Sequence, residues 1–201
     1  MIRRNFYLLL ICLCLAACEN KPQLPRLSHD AVLLSFGDSL TFGTGAAKSE
    51  SYPEVLAQLS GRTVINAGVP GEISEQGLLR LPALLAQHHP NLLILCHGGN
   101  DMLKKKDLNQ TSDNIHKMVQ LAQQQGIPVI LMAVPKPGLF LNPAAMYRNI
   151  AESTGVLLIN DLIPDVLSDA KLKSDPIHPN EAGYRKIAEH IVTVLRQNDA
   201  I

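Results

Sequence analysis

The sequence predicts an α/β protein, a three-layer α/β/α sandwich around a parallel five-stranded sheet. Five apolar runs of strand length stand at Ala31–Phe36, Thr63–Ala67, Leu92–Cys96, Val129–Val134 and Val156–Ile159. Each run is continuous rather than alternating, which marks strands covered on both faces. Helical spacing fills the intervals, and strands that alternate with helices pair in parallel. The 201-residue chain shows no internal repeat, and its length beyond residue 30 suits one domain with a substantial core.

Three of the intervening helices are legible from their apolar stripes. Leu78, Leu81 and Leu85 line one, and Pro82 within it is expected to kink or divide that helix. Ile115, Met118, Val119 and Ala122 line a second, with Gly126 as its stop signal. Ile187, Ile191 and Leu195 line the last. In parallel sheets, sites form beyond the carboxyl ends of the strands. Ser39, residues 68–72, residues 98–101 and residues 135–143 all follow strands directly, so the polar candidates fall on one edge.

The N-terminus has a different character. Arg3 and Arg4 precede an apolar stretch from Tyr7 to Ala17, shorter than the roughly 20 residues that cross a bilayer and suited to a secretory signal. Leu15-Ala16-Ala17-Cys18 resembles a bacterial lipobox, which implies cleavage before Cys18 and acylation of that cysteine. The alternative is an ordinary signal peptide with a small-residue cleavage site. We therefore divide the chain into a signal peptide (1–17), a polar tether with lipidated Cys18 (18–29) and a folded domain (30–201). The expected location is the cell envelope, with the membrane as a partner through the lipid anchor. Glu19 lies where enterobacterial lipoproteins carry aspartate for inner-membrane retention, and so favours the outer membrane.

Composition excludes several classes. Eighteen basic and 18 acidic residues balance to zero, and Lys104-Lys105-Lys106 is the only basic run, so no nucleic-acid partner is expected. Of four cysteines, Cys12 and Cys14 belong to the signal and Cys18 to the anchor. Cys96 is left alone in an apolar strand as a small hydrophobe. No histidine set has metal-ligand spacing, so neither metal nor cofactor is expected. The domain is expected to be a monomer.

The chemistry lies in four blocks. Gly37-Asp38-Ser39-Leu40 follows the first strand, and Asp175-Pro176-Ile177-His178-Pro179 precedes the last helix. Ser39, His178 and Asp175 supply the nucleophile, the base and the tautomer-fixing acid that acyl transfer needs. Taken singly, Ser39 reads as a helix N-cap and the Asp-Pro/His-Pro pair as a surface turn; it is the set that points to a serine hydrolase. The second glycine of a G-x-S-x-G elbow is missing, which counts against an α/β-hydrolase. Candidate oxyanion donors are the Ser39 N–H, the Gly71 N–H and the Asn100 amide, the last following Gly98-Gly99. Gly68 reads as a plain turn residue.

These blocks resemble those of the SGNH, or GDSL, hydrolases, whose Ser, Gly, Asn and His are matched by Ser39, Gly71, Asn100 and His178. The resemblance spans the mature domain and is strongest to a group of periplasmic thioesterases, arylesterases and lysophospholipases. That group shares the segment from Gln76 to Leu85. It implies a flavodoxin-like sheet of order 2-1-3-4-5 and a metal-free serine esterase acting on small-molecule or lipid acyl esters. Two departures stand out: Glu72 replaces a frequent aspartate, and His97 replaces an apolar residue before the double glycine. By the same resemblance, the loop after the fourth strand borders the acyl crevice, which makes Leu139 and Phe140 the substrate-binding candidates. An O-acetylesterase of envelope carbohydrate and a non-catalytic binding lipoprotein stand as alternatives.

Overall fold

The computed structural model describes residues 23–138 and 141–201. Five parallel strands form one sheet in the order β2-β1-β3-β4-β5: β1 (Val32–Gly37), β2 (Thr63–Gly68), β3 (Leu92–Cys96), β4 (Val129–Met132) and β5 (Leu157–Ile159). Helices cover both faces: α1 (Ser39–Phe42), α2 (Tyr52–Ser60), α3 (Ser74–His88), α4 (Gly99–Leu103), α5 (Leu108–Gln124), α6 (Ala145–Thr154), α7 (Leu162–Ser168) and α8 (Glu181–Gln197). The expected sandwich, strand number and order are all present. Strand ends differ from the apolar runs by one or two residues, because pairing rather than hydropathy ends a strand.

The central strands β3 and β4 are wholly buried, as two-faced coverage requires. The helix stripes pack as their spacing predicts. Ile115, Met118, Val119 and Ala122 of α5 and Ile187, Ile191 and Leu195 of α8 are fully buried. Pro82 does not divide α3, which runs unbroken for 15 residues. Leu81 and Leu85, on either side of the proline, are completely buried, so core packing outweighs the local loss of one helix hydrogen bond.

The C-terminal part of the segment expected as a tether packs on the domain. Leu24 and Leu27 join the hydrophobic core, the Leu27 N–H donates to the Ala200 carbonyl at 2.8 Å, and the Leu27 carbonyl accepts from Arg62. Leu24 lines a cleft with Pro128, Val129 and Leu157, at the starts of β4 and β5. Two leucines among polar neighbours were enough to dock a segment that reads as linker. The earlier residues assigned to the signal peptide and to Cys18 lie outside the described residues, as do Leu139 and Phe140. Among the described residues no helix is long and apolar enough to cross a membrane.

Candidate active site

β1 ends level with its neighbours, with Gly37 opposite Gly68 on β2 and opposite Cys96 on β3. The three loops that follow therefore meet at one edge. A Cβ on Gly37 would overlap the Cys96 carbonyl oxygen and the Thr41 hydroxyl, so only glycine allows the chain to turn there into α1. A Cβ on Gly68 would likewise overlap the backbone at Phe42. Gly68 is thus a close-approach residue rather than a plain turn.

Ser39 opens α1 and is half-buried. Its hydroxyl lies 3.0 Å from His178 Nε2, although 139 residues separate the two in sequence. His178 Nδ1 lies 2.7 Å from Asp175 Oδ2. An Nδ1–H that donates to the carboxylate leaves the Nε2 lone pair facing the serine hydroxyl, the tautomer a general base requires. Asp175 Oδ1 accepts the N–H groups of Ile177 and His178 at 2.8 and 2.9 Å, folding the two side chains to one side. Partial burial pushes the Asp175 carboxyl up, but the His178 ring and these N–H donors outweigh it and hold the group below its usual range.

The loop carrying this pair is pinned at both ends. The Ser174 N–H donates to the His178 carbonyl, and Lys173 bridges Pro179. Asn180 caps α8 by accepting from the Gly183 N–H, while its amide donates to the Lys171 and Lys173 carbonyls.

The other candidates gather opposite. Val69-Pro70-Gly71-Glu72 carries the Glu72 N–H to Val69 carbonyl bond, with Gly71 at φ 79°, as a type II turn requires. The Gly71 N–H makes no hydrogen bond within the described residues, and its carbonyl accepts from Lys104 Nζ. Asn100 Nδ2 donates to the Glu72 carbonyl at 3.1 Å and to Asp38 Oδ2 at 3.2 Å. The structure thus brings together Ser39, Asp175, His178 and Asn100, with Gly71 joined to them through its neighbour Glu72. An apolar crevice beside Ser39 is lined by Leu40, Leu103, Val134, Pro135, Leu141 and Ile177.

Two side chains of the site were given no role from the sequence. Buried Asp38 accepts from the Leu40 N–H through Oδ1 and from Asn100 through Oδ2, tying the serine loop to the asparagine loop. Burial raises its carboxyl pKa, with His97, the Leu40 N–H and His178 opposing. An aspartate directly before a helix start was the available signal. Glu72 is the second: its buried carboxylate takes a bidentate pair from Arg80 at 2.8 and 2.7 Å and lies 3.1 Å from His97 Nε2. Cys96 is fully buried, and burial pushes its thiol well up, as befits a packing residue. Among the described residues no three of His, Cys, Asp and Glu gather as a metal site would need.

Comparison with known proteins identifies the family. Residues 35–186 match the GDSL-like lipase/acylhydrolase family. The chain belongs to that family. It is a serine esterase, a hydrolase of carboxylic esters. It is 33% identical over 179 residues to thioesterase 1/protease 1/lysophospholipase L1 of Escherichia coli, covering 85% of this chain and 86% of that one. It is 29% identical to an arylesterase of Vibrio mimicus, over 81% and 87% of the two chains. The crystal structure of the esterase EstA from Pseudoalteromonas sp., inhibited by monoethylphosphonate, superposes with a TM-score of 0.75 at 26% identity, covering 84% and 98%.

The Glu72 cluster carries a pH signature. Burial pushes the Glu72 carboxyl up, but hydrogen bonds from His97 and Arg80 and the Arg80 charge outweigh it and lower the pKa from 4.5 to about 2. A depressed carboxyl stabilises the fold above its unfolded pKa, and that stability is lost as pH falls through the folded value. Between pH 4.5 and about 2 the protein should therefore lose stability that a Glu72→Gln variant never had. Urea unfolding midpoints at stepped pH check this: the two curves should converge towards the acid end.

Proposed function

We propose that Ser39 is the nucleophile of this esterase, with His178 as its base and acid and Asp175 as the group that orients His178. The observation that carries this is the imidazole placed between Asp175 Oδ2 at 2.7 Å and Ser39 Oγ at 3.0 Å. Ser39 Oγ attacks the ester carbonyl while its proton passes to His178 Nε2. The tetrahedral oxyanion accepts from the N–H groups of Ser39 and Gly71 and from Asn100 Nδ2. On collapse the leaving oxygen or sulfur takes the proton from His178, and the acyl group stays on Ser39. Water then adds to the acyl-enzyme with His178 again as base, releasing the acid and restoring Ser39. The Asn100 bond to Asp38, at 3.2 Å, is long for a charge-assisted contact, and its hydrogen is the one the oxyanion would share.

The substrates proposed are acyl esters, thioesters and lysophospholipids, with medium or broad specificity. Support comes from the apolar lining of the crevice and from relatives named thioesterase, lysophospholipase and arylesterase. Leu139 and Phe140 directly precede the lining residue Leu141 in sequence and are proposed to extend that lining. Burial of an acyl chain there would contribute roughly 25 cal/mol per Å².

Ser39→Ala and His178→Ala should each lower kcat by up to about 10⁶-fold, and Asp175→Asn by less, because the imidazole keeps a partner in the wrong tautomer. Asn100→Ala should cost about 10²–10³-fold in kcat with KM little changed. A KM effect alone would make Asn100 a substrate-positioning group. p-Nitrophenyl esters from acetate to palmitate report the chain length: strict acetate preference would favour an O-acetylesterase. A fluorophosphonate probe that leaves folded protein unlabelled at Ser39 would favour a non-catalytic binding module.

We further propose that Cys18 is lipidated after removal of residues 1–17 and that the domain stays at the envelope, on the outer membrane by the Glu19 criterion, as a monomer. The short leash then orients the enzyme. Six Cα steps from Cys18 to the buried Leu24 span at most about 22 Å. Leu24 docks at the edge where β4 and β5 begin, whereas Ser39 follows the opposite edge. An active site facing away from its own bilayer favours esters from the aqueous phase. Cys18→Ser should release active enzyme from the washed membrane fraction. A long Gly-Ser insertion after Glu19 should raise hydrolysis of esters in the anchoring vesicle without changing the rate on a soluble ester; an equal vesicle rate for both leashes would sink the orientation.

A further inference from the structure

We infer that His97 is a positioning residue of the oxyanion hole, acting through Glu72 on both Gly71 and Asn100; this rests on the active-site reading above. His97 follows the last residue of β3, and its side chain is completely buried. A buried imidazole must have both ring nitrogens satisfied, and here the partners fix its tautomer. The Gly98 N–H donates to Nδ1 at 2.9 Å, so the ring proton sits on Nε2 and points at Glu72 Oε2, 3.1 Å away. The His97 carbonyl is held as well, accepting from the buried Tyr147 hydroxyl at 2.7 Å.

Room for the ring is built into the neighbouring helix. A Cβ on Gly77 of α3 would stand 2.5 Å from His97 Nε2. Glycine in a helix interior is unfavourable relative to alanine, and here its absent side chain is what admits the imidazole. Phe36 packs beside the ring, with centroids 5.9 Å apart, and carries the Arg80 guanidinium 4.3 Å above its own ring. Arg80 also donates to the Ala67 carbonyl. His97 and Arg80 thereby hold the Glu72 carboxylate from two sides.

Glu72 connects this cluster to the chemistry. Its carbonyl accepts from Asn100 Nδ2, and its backbone closes the turn that exposes the Gly71 N–H. Two of the three oxyanion donors therefore depend on where Glu72 lies. Glu72 in turn is fixed by the residue that directly follows β3, the strand that also leads into Asn100. The cross-link sets the distance between the Gly71 loop and the Asn100 loop, which a transition state senses more than a ground state does.

The test uses the full-length enzyme on a p-nitrophenyl ester, with a trifluoromethyl ketone whose serine adduct carries an oxyanion. His97→Leu should lower kcat by about 10–10²-fold with KM within about twofold, and weaken the ketone by a similar factor. His97→Gln keeps an N–H near the Nε2 position and should recover most of both. Should His97→Leu fail to fold, Gly77→Ala provides the same displacement of the ring from a helix-favouring substitution, and the same kcat and ketone losses are expected. Unchanged kcat in His97→Leu, or losses in His97→Gln as large as in His97→Leu, would overturn the inference. The active-site reading fails separately, by Ser39→Ala retaining activity.

Discussion

Gly37 lies opposite Gly68 on one side and Cys96 on the other, so β1 and its two neighbours end at a common level. Parallel pairing makes this possible, because strands that run the same way deliver their carboxyl ends to the same edge. The residue that permits it is small. Any side chain on Gly37 would meet the Cys96 carbonyl and prevent the immediate turn into α1. Ser39, Gly71 and Asn100 occupy the first turns beyond these three strands, and their proximity follows from that shared edge.

The far end of the chain must be brought to this edge by different means. The Asp175–His178 loop belongs to no strand, and its position comes from α8. That helix packs against α2 with a stripe of fully buried residues, and Tyr184 reaches from it to the Thr44 carbonyl. Asn180 fastens the loop to the start of α8 through three hydrogen bonds. Within the loop, the Asp175 carboxylate spends one oxygen on backbone N–H groups and the other on the imidazole. The acid is thereby both a turn-former and an orienting group, which explains how a half-exposed carboxylate keeps a single geometry.

Buried polar groups elsewhere divide between support and packing. Asp38 and Glu72 each bind Asn100, one through its carboxylate and the other through its carbonyl, so the amide is held from two loops. Asp101, next in sequence, is turned away from the site and satisfied by Ser74 and Thr111, with Asn114 donating to the same Ser74 hydroxyl. This second network joins α3, α4 and α5 beneath the site. The partners of Asp101 are uncharged and buried, so the network rigidifies the floor of the site, and the Asp101 carboxylate adds to the burial that pushes Asp38 upward.

The sequence by itself determined the layers, the five strands and the presence of a serine, a histidine and a carboxylate suited to acyl transfer. Apolar runs and helical stripes are local signals, and the Asp175–His178 spacing places acid and base within one turn. Tertiary structure alone decided the rest. Nothing local joins Ser39 to His178 across 139 residues, docks Leu24 and Leu27 of an otherwise polar segment into the core, or keeps α3 whole through Pro82. The pairing of His97 with Glu72 was equally hidden, since a lone histidine at a strand end has no periodicity to betray its partner. Long-range contacts of that kind arise from packing, which composition and spacing do not encode one residue at a time.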